Sequence, residues 1–153
     1  MRKLLSIILL IGSFLPVFAA HITGGEIIYS YLGPGSNSTT KTYRITLRLF
    51  RDNSCPGNCA PMPASAPIAI YNNSNNALVG AIRNETIDSN IPVGIVSSPP
   101  CITNPPLFNY SVGSYTFDVE LPDNAEGYTV TYQTCCRVAN ITNIGNAMSV
   151  GST

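Results

Sequence analysis

The sequence predicts an all-β fold, a disulfide-stapled antiparallel β-sandwich that follows a cleaved signal peptide. Three observations support this prediction. Several short stretches alternate apolar with polar residues, as half-buried antiparallel strands do. Clusters of Asn, Gly, Pro and Ser separate those stretches, and no stretch after the signal shows the 3.6-residue period of an amphipathic helix. All five cysteines follow the signal, which is typical of an exported domain stabilised by disulfides.

The first 20 residues have the pattern of a secretory signal. Residues 1–3 carry two positive charges, residues 4–18 are almost wholly apolar, and small residues at the end suit a signal peptidase. Cleavage would leave Ala20 or His21 as the first mature residue. The apolar run falls short of the roughly 20 residues that a membrane-spanning helix needs. The sequence therefore predicts an exported protein, secreted or held at the cell surface, with no membrane span once the signal is removed.

The chain divides into three predicted regions: a signal peptide over residues 1–20, a β-sandwich over residues 21–140, and a tail rich in Gly, Asn and Ser over residues 141–153. A mature chain of about 134 residues suits one domain with a core of its own. Basic and acidic residues balance at eight each, and no basic patch is present in the sequence. Nucleic acid is therefore not an expected partner.

Two stretches form the first predicted hairpin. Residues 26–32 run into the turn residues Gly33-Pro34-Gly35, and residues 42–50 alternate strictly between apolar and polar. Four apolar side chains share one face of that second stretch: Tyr43, Ile45, Leu47 and Leu49. This period-2 pattern predicts a strand with one face in the core and one face in water.

Further strands are predicted along the rest of the chain. Residues 67–71 and 78–83 flank an asparagine-rich turn at residues 72–76, and Asn tolerates the positive φ of tight turns. A weaker strand is predicted over residues 93–96. The clearest strands cover residues 115–121 and residues 127–137, where apolar and polar residues alternate again. Several short strands between turn signals indicate a sandwich or a barrel.

One detail favours an immunoglobulin-like sandwich. Leu121-Pro122 is followed a few residues later by Gly127 and Tyr128. This sequence looks like the corner of immunoglobulin-like domains, where a tyrosine at the start of a strand donates its hydroxyl to upstream backbone. The alternative is that Tyr128 is an ordinary core aromatic residue, which would also need a hydrogen-bond partner when buried.

The cysteines define a predicted disulfide framework. Cys135 and Cys136 are neighbours in a strand, so they face opposite sides and each needs its own distant partner. We expect one bond to Cys101 and one to either Cys55 or Cys59, and a local Cys55–Cys59 bond is the alternative. The odd number of cysteines leaves one thiol unpaired or bonded to another chain. A zinc site is disfavoured, because the chain has a single histidine and vicinal cysteines fit zinc spacings poorly.

Several motifs along the chain resemble those of a single protein family. The two most specific are HITGGE at residues 21–26 and YQ-x-CCR at residues 132–137. The others are Tyr29, Tyr31-Leu-Gly33, Tyr43-Arg-Ile-Thr-Leu47, Phe50-Arg-Asp52, Pro100-Cys101, Leu121-Pro122 and Gly127-Tyr128. Together they resemble the N-terminal module of large Bacteroidota cell-surface proteins, and the likeness extends from His21 to about Asn143. Members of that family are usually exported by the type IX secretion system and often carry PKD-like repeats and gliding-motility-associated C-terminal sorting domains.

Two features depart from the family pattern. Family members usually have a cysteine directly after the Arg-Asp of the second strand, whereas here Asn53-Ser54 precede Cys55 and a second cysteine follows at Cys59. The sequence ends at Thr153 without a type IX sorting domain, where family members continue much further. We therefore expect the chain to be a piece of a longer surface protein.

Candidate metal and catalytic residues are few. His21 could become N-terminal, as in copper polysaccharide monooxygenases, but those enzymes need a second histidine that this sequence lacks. Four nearby carboxylates suggest a calcium site, since Ca²⁺ binds about 6–8 oxygen ligands: Asp118, Glu120, Asp123 and Glu126. A solvated strand face followed by a turn is the alternative. The sequence has no nucleophile elbow or phosphate loop, so we expect no catalytic residues and no cofactor other than this calcium ion.

Two functions remain. The first is a non-catalytic structural or adhesive module at the start of a long surface protein, with surface glycans or other surface proteins as partners. The second is a carbohydrate-binding module, in which exposed tyrosines stack on sugar rings. The candidate tyrosines are Tyr29, Tyr31, Tyr71 and Tyr110. The sequence contains no tryptophan, the residue that sugar platforms usually employ, and this favours the first function.

Overall fold

A computed structural model describes residues 22–54, 60–94, 101 and 109–134. Its regular structure consists of eight strands: β1 (Ile22–Pro34), β2 (Thr40–Asp52), β3 (Ser65–Asn72), β4 (Ala77–Leu78), β5 (Arg83–Thr86), β6 (Ser89–Val93), β7 (Tyr110–Pro122) and β8 (Tyr128–Tyr132). The described part of the chain contains no helix, so the predicted all-β class is confirmed there. It follows that no helix long and apolar enough to cross a membrane occurs among these residues.

The first sheet, sheet A, has the strand order β1-β2-β7-β6, and all of its strand pairs are antiparallel. Strand β2 lies second from one edge and pairs with β7 along its whole length, from Thr40↔Pro122 to Asp52↔Tyr110. On its other side it pairs with β1, with irregularities after Ile22 and after Tyr31. Two ladders of this length fix the position of every side chain on β2.

The second sheet, sheet B, is built around β3. Strand β8 pairs with one side of β3, and the short strands β4 and β5 pair with the other side. Ile68 of β3, for example, has Tyr132 of β8 on one side and Arg83 of β5 on the other. The predicted strand over residues 78–83 is therefore two strands. The chain between them passes through Gly80, whose φ of 71° is easily adopted only without a Cβ.

The core lies between the two sheets. Sheet A contributes Ile45 and Leu47 of β2, each 2% exposed, together with the fully buried Tyr115 of β7. Ile68 and Ile70 of β3 pack against them from sheet B. The alternation predicted for β2 and β7 is thus confirmed, and two antiparallel sheets that enclose one apolar layer form a β-sandwich.

The weaker predicted strand lies earlier in the sequence than predicted. The structure has β6 at Ser89–Val93, where residues 93–96 were predicted, and residues 95 and 96 lie outside the described residues. Strand β6 contains Pro92 and polar residues at 89 and 90, which hide its pattern. It lies at the edge of sheet A, where a proline is tolerated because one side of the strand donates no ladder hydrogen bonds.

Candidate functional site

The outer face of sheet A carries a row of cross-strand polar pairs. The guanidinium of Arg44 donates two hydrogen bonds to the Asp118 carboxylate, Nε to Oδ1 at 2.8 Å and Nη2 to Oδ2 at 2.9 Å. Beside this pair, the hydroxyls of Thr46 and Thr116 are 3.2 Å apart. Arg48 donates to Glu26 of β1 at 3.1 Å. Directly opposed pairs of this kind stabilise a sheet and fix its register.

Glu120, at the end of the same face, is held by the loop between β1 and β2. Its Oε1 accepts hydrogen bonds from the Ser36 amide at 2.8 Å, from the Ser36 hydroxyl at 2.7 Å and from the Thr40 hydroxyl. These hydrogen bonds hold the pKa of Glu120 below its usual range, and the bond from the Thr40 hydroxyl has the largest effect. The hydrogen bonds from Arg44 do the same for the pKa of Asp118. Both carboxylates are therefore ionised and already bonded within the sheet.

The four carboxylates of the predicted calcium site are not gathered around one point. Asp118 faces Arg44, Glu120 faces Ser36 and Thr40, and Asp123 forms an ion pair with Lys41. The backbone carbonyl of Glu126 accepts a hydrogen bond from the side-chain amide of Asn73 at 2.9 Å. Within the described ranges, no three His, Cys, Asp or Glu side chains come together in a way that could hold a metal ion. A calcium ion here would have to compete with these existing bonds, and the site stays a prediction.

Two strongly exposed aromatic residues of the described chain lie on β1. Tyr31 is directly opposite Tyr43 of β2, and Tyr29 is opposite Ile45. The ring centroid of Tyr43 is 6.5 Å from that of Tyr29, with the planes at 68°, and 5.7 Å from that of Tyr31, at 56°. Tyr29 is 70% exposed and Tyr31 55% exposed. We call Tyr29, Tyr31, Tyr43 and their neighbour Ile27 the aromatic ledge.

The aromatic ledge belongs to the inner face of sheet A. Residues opposite each other in antiparallel strands point to the same side, and the partners of Ile27 and Tyr29 are the buried Leu47 and Ile45. Ile27, Tyr29 and Tyr31 are nevertheless exposed, whereas their neighbours Ile45 and Leu47 on β2 are buried. The geometry therefore leaves an aromatic surface where a sandwich normally has its core.

The other two tyrosines predicted for sugar binding lie elsewhere. Tyr71 is half-buried in β3 of sheet B, opposite Leu78 and Thr129. Tyr110 begins β7 and is opposite Asp52, far along sheet A from Tyr31. The structure thus brings together only Tyr29 and Tyr31 and adds Tyr43 to them. Sequence reasoning had placed Tyr43 on the core face of its strand, but only the register between β1 and β2 shows that it joins the ledge.

Tyr128 makes the hydrogen bond that its sequence position predicts. Its hydroxyl donates to the carbonyl of Pro122 at 2.8 Å. Gly127 precedes it with a φ of 72°, and the Asn124 side chain donates to the Gly127 carbonyl at 2.7 Å. Burial raises the pKa of Tyr128, and the nearby Asp123 and Tyr43 add to the increase. The neutral, hydrogen-bond-donating form is thereby favoured.

The cysteine framework is described at one position only. Cys101 is exposed, and its thiol is free in the structure. Cys55, Cys59, Cys135 and Cys136 lie outside the described residues, as does His21. The predicted disulfides therefore stay predictions.

No family model, curated protein or solved structure matches this chain. Its function is therefore inferred from its fold and its surface chemistry.

Proposed function

We propose that the chain is a non-catalytic structural or adhesive module of an exported bacterial surface protein, folded as an immunoglobulin-like β-sandwich. The observation that carries the functional part is the outer face of sheet A. Its charged side chains are bonded to one another across strands, as in Arg44–Asp118 and Arg48–Glu26. Such pairs hold strands in register, which is a structural role and leaves their carboxylates without an acid or base role.

The strand order supports the immunoglobulin-like fold. In immunoglobulin-like domains one sheet has the strand order A, B, E, D, and the other pairs strands C and F. Here sheet A has the order β1-β2-β7-β6, and β3 pairs with β8. Assigning letters to β1, β2, β3, β6, β7 and β8 in chain order gives A, B, C, D, E and F, with β4 and β5 inserted between C and D.

The Tyr128 corner supports the same assignment. In immunoglobulin-like domains a tyrosine at the start of strand F bonds to backbone upstream, at the corner between strands E and F. Tyr128 begins β8 and bonds to Pro122, the last residue of β7. The resemblance of HITGGE and YQ-x-CCR to Bacteroidota surface proteins supports the bacterial, exported part of the proposal, with a cleaved signal at residues 1–20 and disulfides among the five cysteines.

A test of the export proposal uses the full precursor, produced in a Bacteroidota host. We expect mature protein that begins at Ala20 or His21, and that added protease removes from intact cells. N-terminal sequencing and protease shaving of whole cells measure these two properties. Protein that keeps Met1 and stays protected inside the cells would contradict the proposal. Peptide mapping without reduction then identifies the disulfides, and we expect a Cys55 or Cys59 peptide linked to the Cys135-Cys136 peptide.

Carbohydrate binding is the second candidate, and the exposed rings of Tyr29 and Tyr31 favour it. Aromatic faces stack on apolar faces of sugars and leave their hydroxyl groups in water. A glycan array probed with the mature protein tests this candidate, with Tyr31→Ala as the variant and Tyr71→Ala as the matched control outside the ledge. Binding lost in Tyr31→Ala alone would support sugar recognition. Beads coated with the mature protein that adhere to cells, without any glycan signal, would support the structural or adhesive function.

A further inference from the structure

The two edges of sheet A differ in how well they are protected against the addition of another strand. Strand β6, at one edge, has five residues and contains Pro92. A short edge strand with a proline resists pairing, because the proline donates no backbone hydrogen bond. Strand β1, at the other edge, has thirteen residues, no lysine or arginine, and no proline before Pro34. Of the two edges, β1 is therefore the one to which a further strand can add.

The edge of β1 is accessible along its length. Its backbone pairs with β2 on one side, and it has no other neighbour among the described strands. Every residue from Thr23 to Leu32 is exposed. The middle of the strand is also regular, since the ladder with β2 runs from Gly24↔Phe50 to Tyr31↔Tyr43 without an irregularity. Residues 24–31 thus present an even row of backbone N–H and C=O groups to a further strand.

The side chains of this regular stretch suit a partner strand of low charge. Glu26 is its one charged residue, and the carboxylate already accepts a hydrogen bond from Arg48 at 3.1 Å. Ile27 and Tyr29 lie on the inner face, and Ile28 lies on the outer face, opposite Thr46. Cross-strand pairs of aromatic and β-branched residues stabilise a sheet, whereas like charges directly opposite each other destabilise it. A second β1 strand has these same properties.

We propose that the edge of β1 pairs with β1 of a second copy of the chain, antiparallel and centred on Ile28. Residues at equal distances from Ile28 then lie opposite each other on the same face. On the inner face, Ile27 lies opposite Tyr29 of the second copy, a β-branched residue against an aromatic one. On the outer face, Glu26 lies opposite Ser30 of the second copy, whose hydroxyl can donate to a carboxylate.

Tyr31 completes this register. It lies opposite Gly25 of the second copy, where its ring covers backbone that a glycine leaves exposed. All of the opposed residues fall within residues 24–31, the regular part of β1. The pairing therefore needs no distortion of the strand, and it opposes no two like charges.

The neighbouring registers fit less well. A pairing centred one residue earlier would set Glu26 opposite Ile28. A pairing centred one residue later would set Glu26 opposite Leu32, which lies beyond the regular stretch. Both place the carboxylate against an apolar side chain, and both move Tyr31 away from Gly25. The sequence of β1 is thus self-complementary in one register.

The contact closes at two chains. A two-fold axis relates the paired strands, so each chain uses the same edge and none is left over. The outer edges of the joined sheet are then the two β6 strands, each with its Pro92. This interface adds a second copy as a partner of the module proposed above, and it does not depend on export of the chain.

Charge reversal at the centre of the pairing tests the proposal, because only a residue on the two-fold axis lies opposite itself. The full mature chain, with free thiols blocked by iodoacetamide, is measured by sedimentation equilibrium over a series of concentrations. We expect the unsubstituted protein to show a monomer–dimer equilibrium. Ile28→Lys and Ile28→Glu, each alone, should raise the dissociation constant several-fold, since like charges then oppose each other. An equal mixture of the two variants should restore the dimer.

Ile91→Lys and Ile91→Glu are the matched controls, because Ile91 is an exposed isoleucine on β6 at the other edge of sheet A. Both should leave the dissociation constant unchanged. Isotope-filtered NMR on an equal mixture of ¹³C-labelled and unlabelled protein is the second measurement, and it needs no variant to fold. We expect contacts between the side chains of Ile27 in one copy and Tyr29 in the other.

A chain that stays monomeric up to its solubility limit would overturn the proposal, and slow amide exchange along β1 in that monomer would assign the edge to another part of the same chain. A dimer that weakens in the Ile91 variants would overturn it as well. So would a dimer that the mixture of Ile28 variants fails to restore. None of these results bears on export, which N-terminal sequencing decides.

Discussion

The Tyr128 hydroxyl donates a 2.8 Å hydrogen bond to the carbonyl of Pro122, six residues earlier in the chain. This bond closes the passage from β7 in sheet A to β8 in sheet B, one of the places at which the chain crosses between the two layers. Asn73 and Asn124 bond to backbone of the same loop. Side-chain hydrogen bonds therefore hold the corner together with backbone bonds, such as that from the Gly127 amide to the Asn124 carbonyl at 3.1 Å.

Tyr128→Phe removes this bond and keeps the ring. We expect the free energy of unfolding to fall by about 1 kcal/mol, the typical net contribution of one hydrogen bond. Urea denaturation followed by circular dichroism measures it. Tyr71→Phe is the control, because the described structure gives its hydroxyl no hydrogen-bond partner. Equal stability of the two variants would show that the corner bond contributes nothing.

Tyr115 is fully buried, and its hydroxyl donates to the Pro63 carbonyl at 2.6 Å. Tyr115→Phe leaves that carbonyl without this donor, and we expect a loss of about 1–3 kcal/mol in the free energy of unfolding. Phe117→Leu, a change in the same core without loss of a hydrogen bond, is a control for altered packing. Thermal and urea unfolding measured together at neutral pH test the prediction, and an unchanged midpoint would contradict it.

Tyr115 also predicts how stability depends on alkaline pH. Burial raises its pKa to about 12 in the folded protein, against about 10 in an unfolded chain. A group with a raised pKa stabilises the folded state fully below pH 10 and loses that contribution as pH rises through 12. We expect the free energy of unfolding of the unsubstituted protein to fall over this window more steeply than that of Tyr115→Phe. Parallel curves for the two proteins would rule out a contribution from Tyr115.

The Arg44–Asp118 pair predicts an acid dependence of the opposite sign. Because the pKa of Asp118 is lowered in the folded state, its contribution is present above the unfolded pKa and is lost as pH falls through the folded value. Arg44→Gln should raise the pKa of Asp118 towards its ordinary value. An NMR titration of the Asp118 carboxyl carbon measures this, with Glu120 as the internal control because Thr40 and Ser36 lower its pKa. An Asp118 titration that Arg44→Gln leaves unchanged would contradict the assigned cause.

The adjacent glycines at the start of β1 should differ in their tolerance of a side chain. A Cβ at Gly25 would lie 2.7 Å from the backbone carbonyl oxygen of Arg48, whereas a Cβ at Gly24 would come no closer than 3.8 Å to Phe50. We expect Gly25→Ala to lower the free energy of unfolding by about 1–3 kcal/mol, as overpacking does. Gly24→Ala should stay within about 0.5 kcal/mol of the unsubstituted protein. Equal effects in urea denaturation would show that β1 shifts to accept the methyl group.

Strict alternation made β2 and β7 predictable from the sequence. Both proved longer than predicted, at Thr40–Asp52 and Tyr110–Pro122, because the ladder between them runs without a break from Thr40↔Pro122 to Asp52↔Tyr110. The single predicted strand at residues 78–83 became β4 and β5, since both pair with one side of β3. Pairing partners of this kind are set by tertiary structure, and local sequence carries no signal for them.

The surface was harder to predict than the core. The calcium site at Asp118 stays a prediction, but no feature of the sequence indicated that this carboxylate is bonded to Arg44, 74 residues away. Sequence spacing within one strand cannot identify the residue opposite on the next strand. The same limit hid the contact of Tyr43 with Tyr29 and Tyr31, which depends on the register between β1 and β2.

The long ladder between β2 and β7 also has a consequence for the timing of folding during synthesis. Arg44 emerges from the ribosome 74 residues before Asp118, which corresponds to about 4–15 s at ordinary translation rates of about 5–20 residues per second. During this interval β2 has β1 as a neighbour but lacks the strand that completes its other side, and an isolated two-stranded hairpin is only marginally stable. Sheet A therefore stays incomplete until β7 has been made, and an incompletely folded chain is the form that the export proposed above requires.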